Sequence, residues 1–106
     1  MDNSMIQKMM KYTISGGNVE KAKAIVAEFI ENVRRYEPEI QYDAYRIKET
    51  NSFVHFLCFP REQAERAHRE APYTGNFFNA IHPFCEEQPV FIDLEKIEGV
   101  LGGEYE

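Results

Sequence analysis

The residues able to do chemistry lie close together between Ser52 and Ile81, where SFVHFLCFPREQAERAHREAPYTGNFFNAI carries His55, Cys58, His68 and Tyr73 among phenylalanines. A neutral imidazole titrates near working pH, so His55 or His68 could act as general base toward a hydroxyl. Each also has a structural reading. His55 could be a core or interface histidine bonded to a neighbouring group, and His68 an exposed helix residue between Arg66 and Arg69. Tyr12, Tyr42, Tyr45 and Tyr73 could hold a phenolic ligand by hydroxyl and ring, or pack with their hydroxyls at the surface. Met10, Phe77, Phe78 and Ile81 would supply an apolar wall, or simply core. Such a set suits a pocket for a flat, apolar molecule. His82 and Cys85 stand three apart, a chelating distance on one helical turn. Structural zinc takes four ligands and no CxxC or HxxxH completes a set, so no metal site is expected. Cys58 reads as a small buried apolar residue. Arg34, Arg35 and Glu37 read as a solvated helix end that complements the dipole. No GxGxxG or GxxxxGKS/T motif points to a nucleotide.

A chain of 106 residues is expected to form one domain, burying roughly two-thirds of its unfolded surface. Eight Phe and six Tyr, with no Trp, exceed what a minimal core needs, so some rings are expected to line a cavity or an interface. A net charge of −6 without a basic run argues against nucleic acid. No apolar run approaches the roughly 20 residues of a membrane span. MDNSMIQKMMKYTI lacks the pattern of a signal peptide, so a soluble, cytoplasmic chain is expected. Cys58 and Cys85, far apart and outside any CxxC, are expected to be free thiols.

These side chains need elements to position them. Met5 to Ile14 alternates as a strand, blurred at Lys8 and Met9. Ser15-Gly16-Gly17 is a turn, and Asn18 offers an N-cap oxygen to the helix that follows. Val19, Ala22, Ile25, Val26, Phe29, Val33 and Tyr36 fall at helical spacing until Glu37-Pro38 ends it. Ile40 to Lys48 and Ser52 to Phe59 read as a hairpin across Glu49-Thr50-Asn51. The second of these strands is apolar on both faces, as in a strand buried on both sides. Arg61 to Glu70 reads as a helix with Ala64 and Ala67 toward the core. A further helical piece runs from Tyr73 to Glu86, interrupted near Pro83. Val90 to Ile97 is the last strand and Gly99 to Glu106 a tail. The order β-α-β-β-α-β predicts an α+β, ferredoxin-like fold, a four-stranded antiparallel sheet with helices on one face. The other face then needs a cover, and a second copy of the sheet is the simplest.

This element order, the Gly-Gly turn into an amphipathic helix, EPEIQYDAYR, and FVHFLCF followed by AERAHREAPYTGNFFNAI resemble the antibiotic biosynthesis monooxygenase, or quinol monooxygenase-like, family of dimeric α+β barrel proteins. The likeness runs from about Met5 to Ile97. Its most specific parts are Glu37-Pro38 before Tyr42, then Phe53, then Ala67-His68 before Pro72 and Phe77. The resemblance implies a homodimeric, cofactor-independent oxygenase in which O2 attacks a quinol or polycyclic aromatic substrate. The substrate supplies the electrons, and the protein a dry pocket, a base and orientation. His68 matches a histidine common in the family's second helical region; with His55 it makes the pair of catalytic candidates, and Met10, Tyr12, Tyr42, Tyr45, Tyr73, Phe77, Phe78 and Ile81 are the candidates to touch the substrate. Haem-degrading relatives use an asparagine, a tryptophan and a histidine where this chain has about Met10, Ala67 and Phe77, so haem is not expected. A non-catalytic small-molecule-binding or stress-related protein on the same scaffold is the alternative.

Overall fold

The computed structural model describes residues 5–97; the tail read at residues 99–106 lies outside them. The chain orders β1 (Ile6–Ile14), α1 (Val19–Tyr36), β2 (Gln41–Arg46), β3 (Ser52–Phe59), α2 (Glu62–Glu70), α3 (Pro72–Ile81), a 3-10 turn (His82–Phe84) and β4 (Cys85–Leu94). The strands form one sheet in the order β2-β3-β1-β4, antiparallel throughout. This is the ferredoxin-like α+β arrangement that the sequence predicts.

Alternation fixes which side of each strand meets the helices. Met10, Tyr12 and Ile14 of β1 and Phe53, His55, Leu57 and Phe59 of β3 are buried on the helix side, joined by Tyr42 of β2. Ala22, Val26, Phe29 and Val33 close the core from α1. Gly17, at φ 89°, makes the turn that reverses the chain into α1 without strain on a Cβ. Asn18 does not cap α1 with its side chain. Its amide instead donates to Ser15 Oγ at 3.1 Å, tying down the turn.

The structure differs from the sequence reading in the inward face of α2 and in the extent of β4. In α2 the buried residues are Ala64 and His68, four apart, whereas Ala67 faces solvent. The helical phase therefore turns the histidine inward and the alanine out. β4 begins at Cys85 rather than Val90 and ends at Leu94, so Cys85 opens a strand and shares no helical turn with His82. The register of β4 slips between Lys11 and Ile14, where one extra residue at each step sits opposite β1. Pro89, which has no N–H for the ladder, is tolerated there because β4 is an edge strand.

The face of the sheet away from the helices is bare. Register places Phe56, Met9 and Ile92 in one row across three strands, with Tyr45, Val54 and Val90 in the next. Within the single chain β3 is therefore buried on one face only, and Phe56, Tyr45, Val90 and Ile92 are exposed.

Ile81 is wholly buried at the end of α3. Ile81→Ala should lower stability by about 2–5 kcal/mol, seen as an earlier urea midpoint with an unchanged slope.

Candidate active site

Glu37 is brought into the interior by the way α1 ends. Its N–H closes the last turn by donating to the Val33 carbonyl at 2.7 Å, and Pro38 prevents another turn. The side chain then lies between α2 and α3. His68 Nδ1 donates to Glu37 Oε2 at 3.0 Å and approaches Oε1 at 3.2 Å. The Tyr73 hydroxyl donates to Oε2 at 2.5 Å. Both partners of this hydrogen-bonded pair are nearly enclosed, with side-chain exposures of 8% for His68 and 11% for Glu37. Burial pushes the Tyr73 phenol above its ordinary range, helped by its bond to the carboxylate, so it stays a donor.

α2 and α3 hold His68 in place. Ala71, extended before Pro72, breaks the two helices apart, and Thr74 Oγ1 donates to the His68 carbonyl at 2.7 Å. The imidazole packs among Phe29, Tyr42 and Phe59, with centroids 5.5–5.8 Å away. With Nδ1 donating to a carboxylate, a neutral His68 carries its lone pair on Nε2. Nε2 makes no hydrogen bond among the described residues, yet no buried side-chain nitrogen or oxygen there lacks a partner. Nε2 is therefore not sealed off, and His68 lines a cavity.

That cavity has a volume of about 330 Å³, at the lower end of the roughly 300–1,000 Å³ of small-molecule sites. Met10, Phe29, Leu57, Phe59, Phe78 and Phe91 make it mostly apolar, with Tyr42 and Thr74 beside His68. Lys8, Glu65 and Arg69 supply the charged part of its lining. Lys8 Nζ bonds Asp93 at 2.9 Å and Glu65 at 3.2 Å, linking β4 to α2 through β1. The hydrogen bond to Asp93 is the main influence holding the ammonium above its usual range. This role accounts for the lysine that interrupts the alternation of β1.

His55 has a different setting. It is wholly buried, with Nε2 2.8 Å from the Tyr12 hydroxyl and Nδ1 2.7 Å from the Tyr42 hydroxyl. Burial lowers its pKa from 6.5 to about 3, so the ring is neutral. Burial likewise raises Tyr12 and Tyr42 above the ordinary phenol range. Both nitrogens of His55 are engaged, and neither is offered to the cavity.

Of the residues singled out in sequence, His68, Met10, Tyr42 and Phe78 meet at the cavity. Tyr12 and His55 stand behind Tyr42, and Tyr73 reaches His68 through Glu37. Phe77 stacks on Phe29 at 4.5 Å and Ile81 is core. Tyr45 is 56% exposed on the opposite sheet face, 6.1 Å from the Phe56 ring, and so lies away from the cavity. Sequence reasoning missed Glu37, which it placed on a solvated helix end. The available signal was a carboxylate directly before the proline that ends α1.

No family model and no curated protein sequence matches the chain, but solved structures do. A provisionally named antibiotic biosynthesis monooxygenase of Caulobacter crescentus CB15 superposes with a TM-score of 0.82 at 18% identity, over 90% of this chain and 92% of that one. A protein of the same provisional name from Bacteroides thetaiotaomicron VPI-5482 gives 0.80 at 21%, over 92% and 94%. Rv0793 of Mycobacterium tuberculosis gives 0.80 at 16%, over 92% and 99%. The structures sharing this fold thus include proteins carrying the family name that the sequence resembles. At these identities, what is shared is the fold.

The buried His55 has a consequence for acid stability. A base whose folded pKa lies near 3 rather than 6.5 adds stability that is fully present above pH 6.5 and lost as pH falls toward 3. Thermal melts should therefore show a falling midpoint from pH 7 to pH 5, before most carboxylates titrate. In His55→Gln that slope should be shallower, from a lower starting midpoint.

Proposed function

We propose that the chain is a cofactor-independent monooxygenase that uses O2 to oxidise a quinol or polycyclic aromatic phenol bearing an activated carbon. The observation behind this reading is the Glu37–His68 pair beside an apolar cavity that His68 lines, with Nδ1 of the imidazole held by the carboxylate. His68 takes a proton from the substrate, and Glu37 stabilises the imidazolium that results. The substrate anion passes one electron to O2, and the two radicals combine to form a C–O bond. Loss of water from the resulting hydroperoxide leaves a carbonyl. At an activated methylene, one atom of O2 thus becomes the carbonyl oxygen. The other leaves as water with both methylene hydrogens, and all electrons come from the substrate. The aromatic walls exclude water from the anion and hold the ring plane.

The bare sheet face supports a homodimer in this proposal. Exposed Phe56, Ile92, Val90 and Tyr45 form an apolar patch of the kind that a second sheet covers. Sedimentation should give a dimer, and Phe56→Lys combined with Ile92→Lys should give a monomer. A wild-type monomer at micromolar concentration would contradict this assembly.

Oxygen uptake by metal-stripped protein with dihydroxynaphthalenes and anthrones, against a protein-free blank, tests the activity. Saturable uptake is expected, and His68→Ala should lower kcat by roughly 10²–10⁴-fold with little change in KM. Glu37→Gln should lower kcat by at least about tenfold, because it removes the charge that supports the imidazolium. Absence of uptake across the panel would favour a binding protein on the same scaffold.

A further inference from the structure

We infer that Tyr42 presents its hydroxyl hydrogen to an oxygen of the bound ligand, and that the buried Tyr12–His55 pair fixes this orientation. The inference rests on the reading of the cavity as a site for an oxygen-bearing aromatic molecule. It follows from counting protons in the row Tyr12–His55–Tyr42. The neutral imidazole carries one N–H and each phenol one O–H, so three protons serve two hydrogen bonds, at 2.8 Å and 2.7 Å. Only two arrangements fill both bonds. In the first, Tyr12 donates to His55 Nε2 and Nδ1–H donates to the Tyr42 oxygen, leaving the Tyr42 hydrogen free. In the second, Nε2–H donates to Tyr12 and Tyr42 donates to Nδ1, leaving the Tyr12 hydrogen free.

The surroundings select between them. Tyr12 is 1% exposed, and its hydroxyl meets no acceptor other than His55 among the described residues. A free hydrogen there would be a buried, unpaired donor, a penalty that biases the balance by roughly tenfold or more. Tyr42 is 4% exposed and lines the cavity, so of the two hydroxyls it is the one that water or ligand could reach. The first arrangement is therefore the stable one. His55 is held as the Nδ1–H tautomer and Tyr42 becomes a donor toward the cavity.

Tyr42 and His68 are neighbours, with ring centroids 5.7 Å apart. His68 Nε2 accepts and Tyr42 donates, so the pair matches a phenol or enol, whose oxygen both gives and receives a hydrogen bond. Once His68 has taken the ligand proton, the Tyr42 hydroxyl remains directed at the phenolate oxygen. Tyr12 and His55 are positioning residues that act through Tyr42. This gives the row a role beyond packing.

The test is a long-range proton–nitrogen correlation spectrum of wild-type protein labelled with 15N-histidine, at neutral pH. His55 should show a protonated Nδ1 and a bare Nε2. A protonated Nε2, or an equal mixture, would overturn the inference whether or not any ligand binds. Tyr42→Phe adds a second readout. It should weaken 1-naphthol binding about fivefold or more while naphthalene binding stays as in wild type, in a protein that remains folded with a lower melting midpoint because His55 loses a partner. Equal losses for both ligands, or none, would count against the Tyr42 donor. Selective naphthol binding without oxygen uptake would retire the oxygenase reading and leave the tautomer assignment standing.

Discussion

A buried imidazole needs a partner for each nitrogen, and the helix-facing side of the sheet is organised around that need. His55 sits in the middle of β3, opposite Met10 on β1 and Ala44 on β2. Its partners come from diagonal positions on the same face: Tyr12 lies opposite Phe53, and Tyr42 opposite Leu57. The two tyrosines reach His55 from opposite directions along the strand. A one-residue slip of either neighbouring strand would turn its tyrosine to the other face, and a two-residue slip would break the bond. Polar contacts in the core thus define the register that apolar packing alone leaves looser.

The two interior histidines differ in one respect that matters for chemistry. His55 has both nitrogens engaged, whereas His68 has one nitrogen on Glu37 and the other without a hydrogen-bond partner among the described residues. Aromatic rings surround both, and Phe77 lies 5.8 Å from the His55 ring while Phe29 lies 5.8 Å from that of His68. In the proposed reaction it is the unpartnered nitrogen, rather than the degree of burial, that would suit His68 to act as the base. Glu37 and Tyr73 fix the plane of its ring, since the carboxylate is itself anchored by a second donor.

The element order and the sheet were legible in sequence because alternation in β1 and β3 and the 3.6-residue spacing of α1 are strong local signals. The charge of Glu86 and Glu87 and the presence of Pro89 hid the start of β4, since an edge strand tolerates what an inner strand would not. The phase of α2 was ambiguous over nine residues, with small Ala67 beside bulky His68, and only tertiary packing selects the histidine. The site was harder to read. His68, Met10, Tyr42 and Phe78 were identified by residue type, but Glu37 is 31 residues from His68. No spacing rule connects a helix terminus to a helix two strands later. Tyr45 and Tyr42 look alike in composition, and the pleat sends them to opposite faces.

Pro89 and the slipped register of β4 also constrain how sheets of this kind can add to one another. A free strand edge invites another strand to join it, and repeated joining would build an open ribbon of chains. Here one edge is a bulged strand missing a backbone donor, and the other is the six-residue β2. Both are poor templates for lateral growth. The exposed apolar surface lies instead on the flat of the sheet, where stacking two copies leaves no equivalent surface for a third. A proposed association along that direction would close at a pair, which would let the chain keep a sticky face without forming fibres.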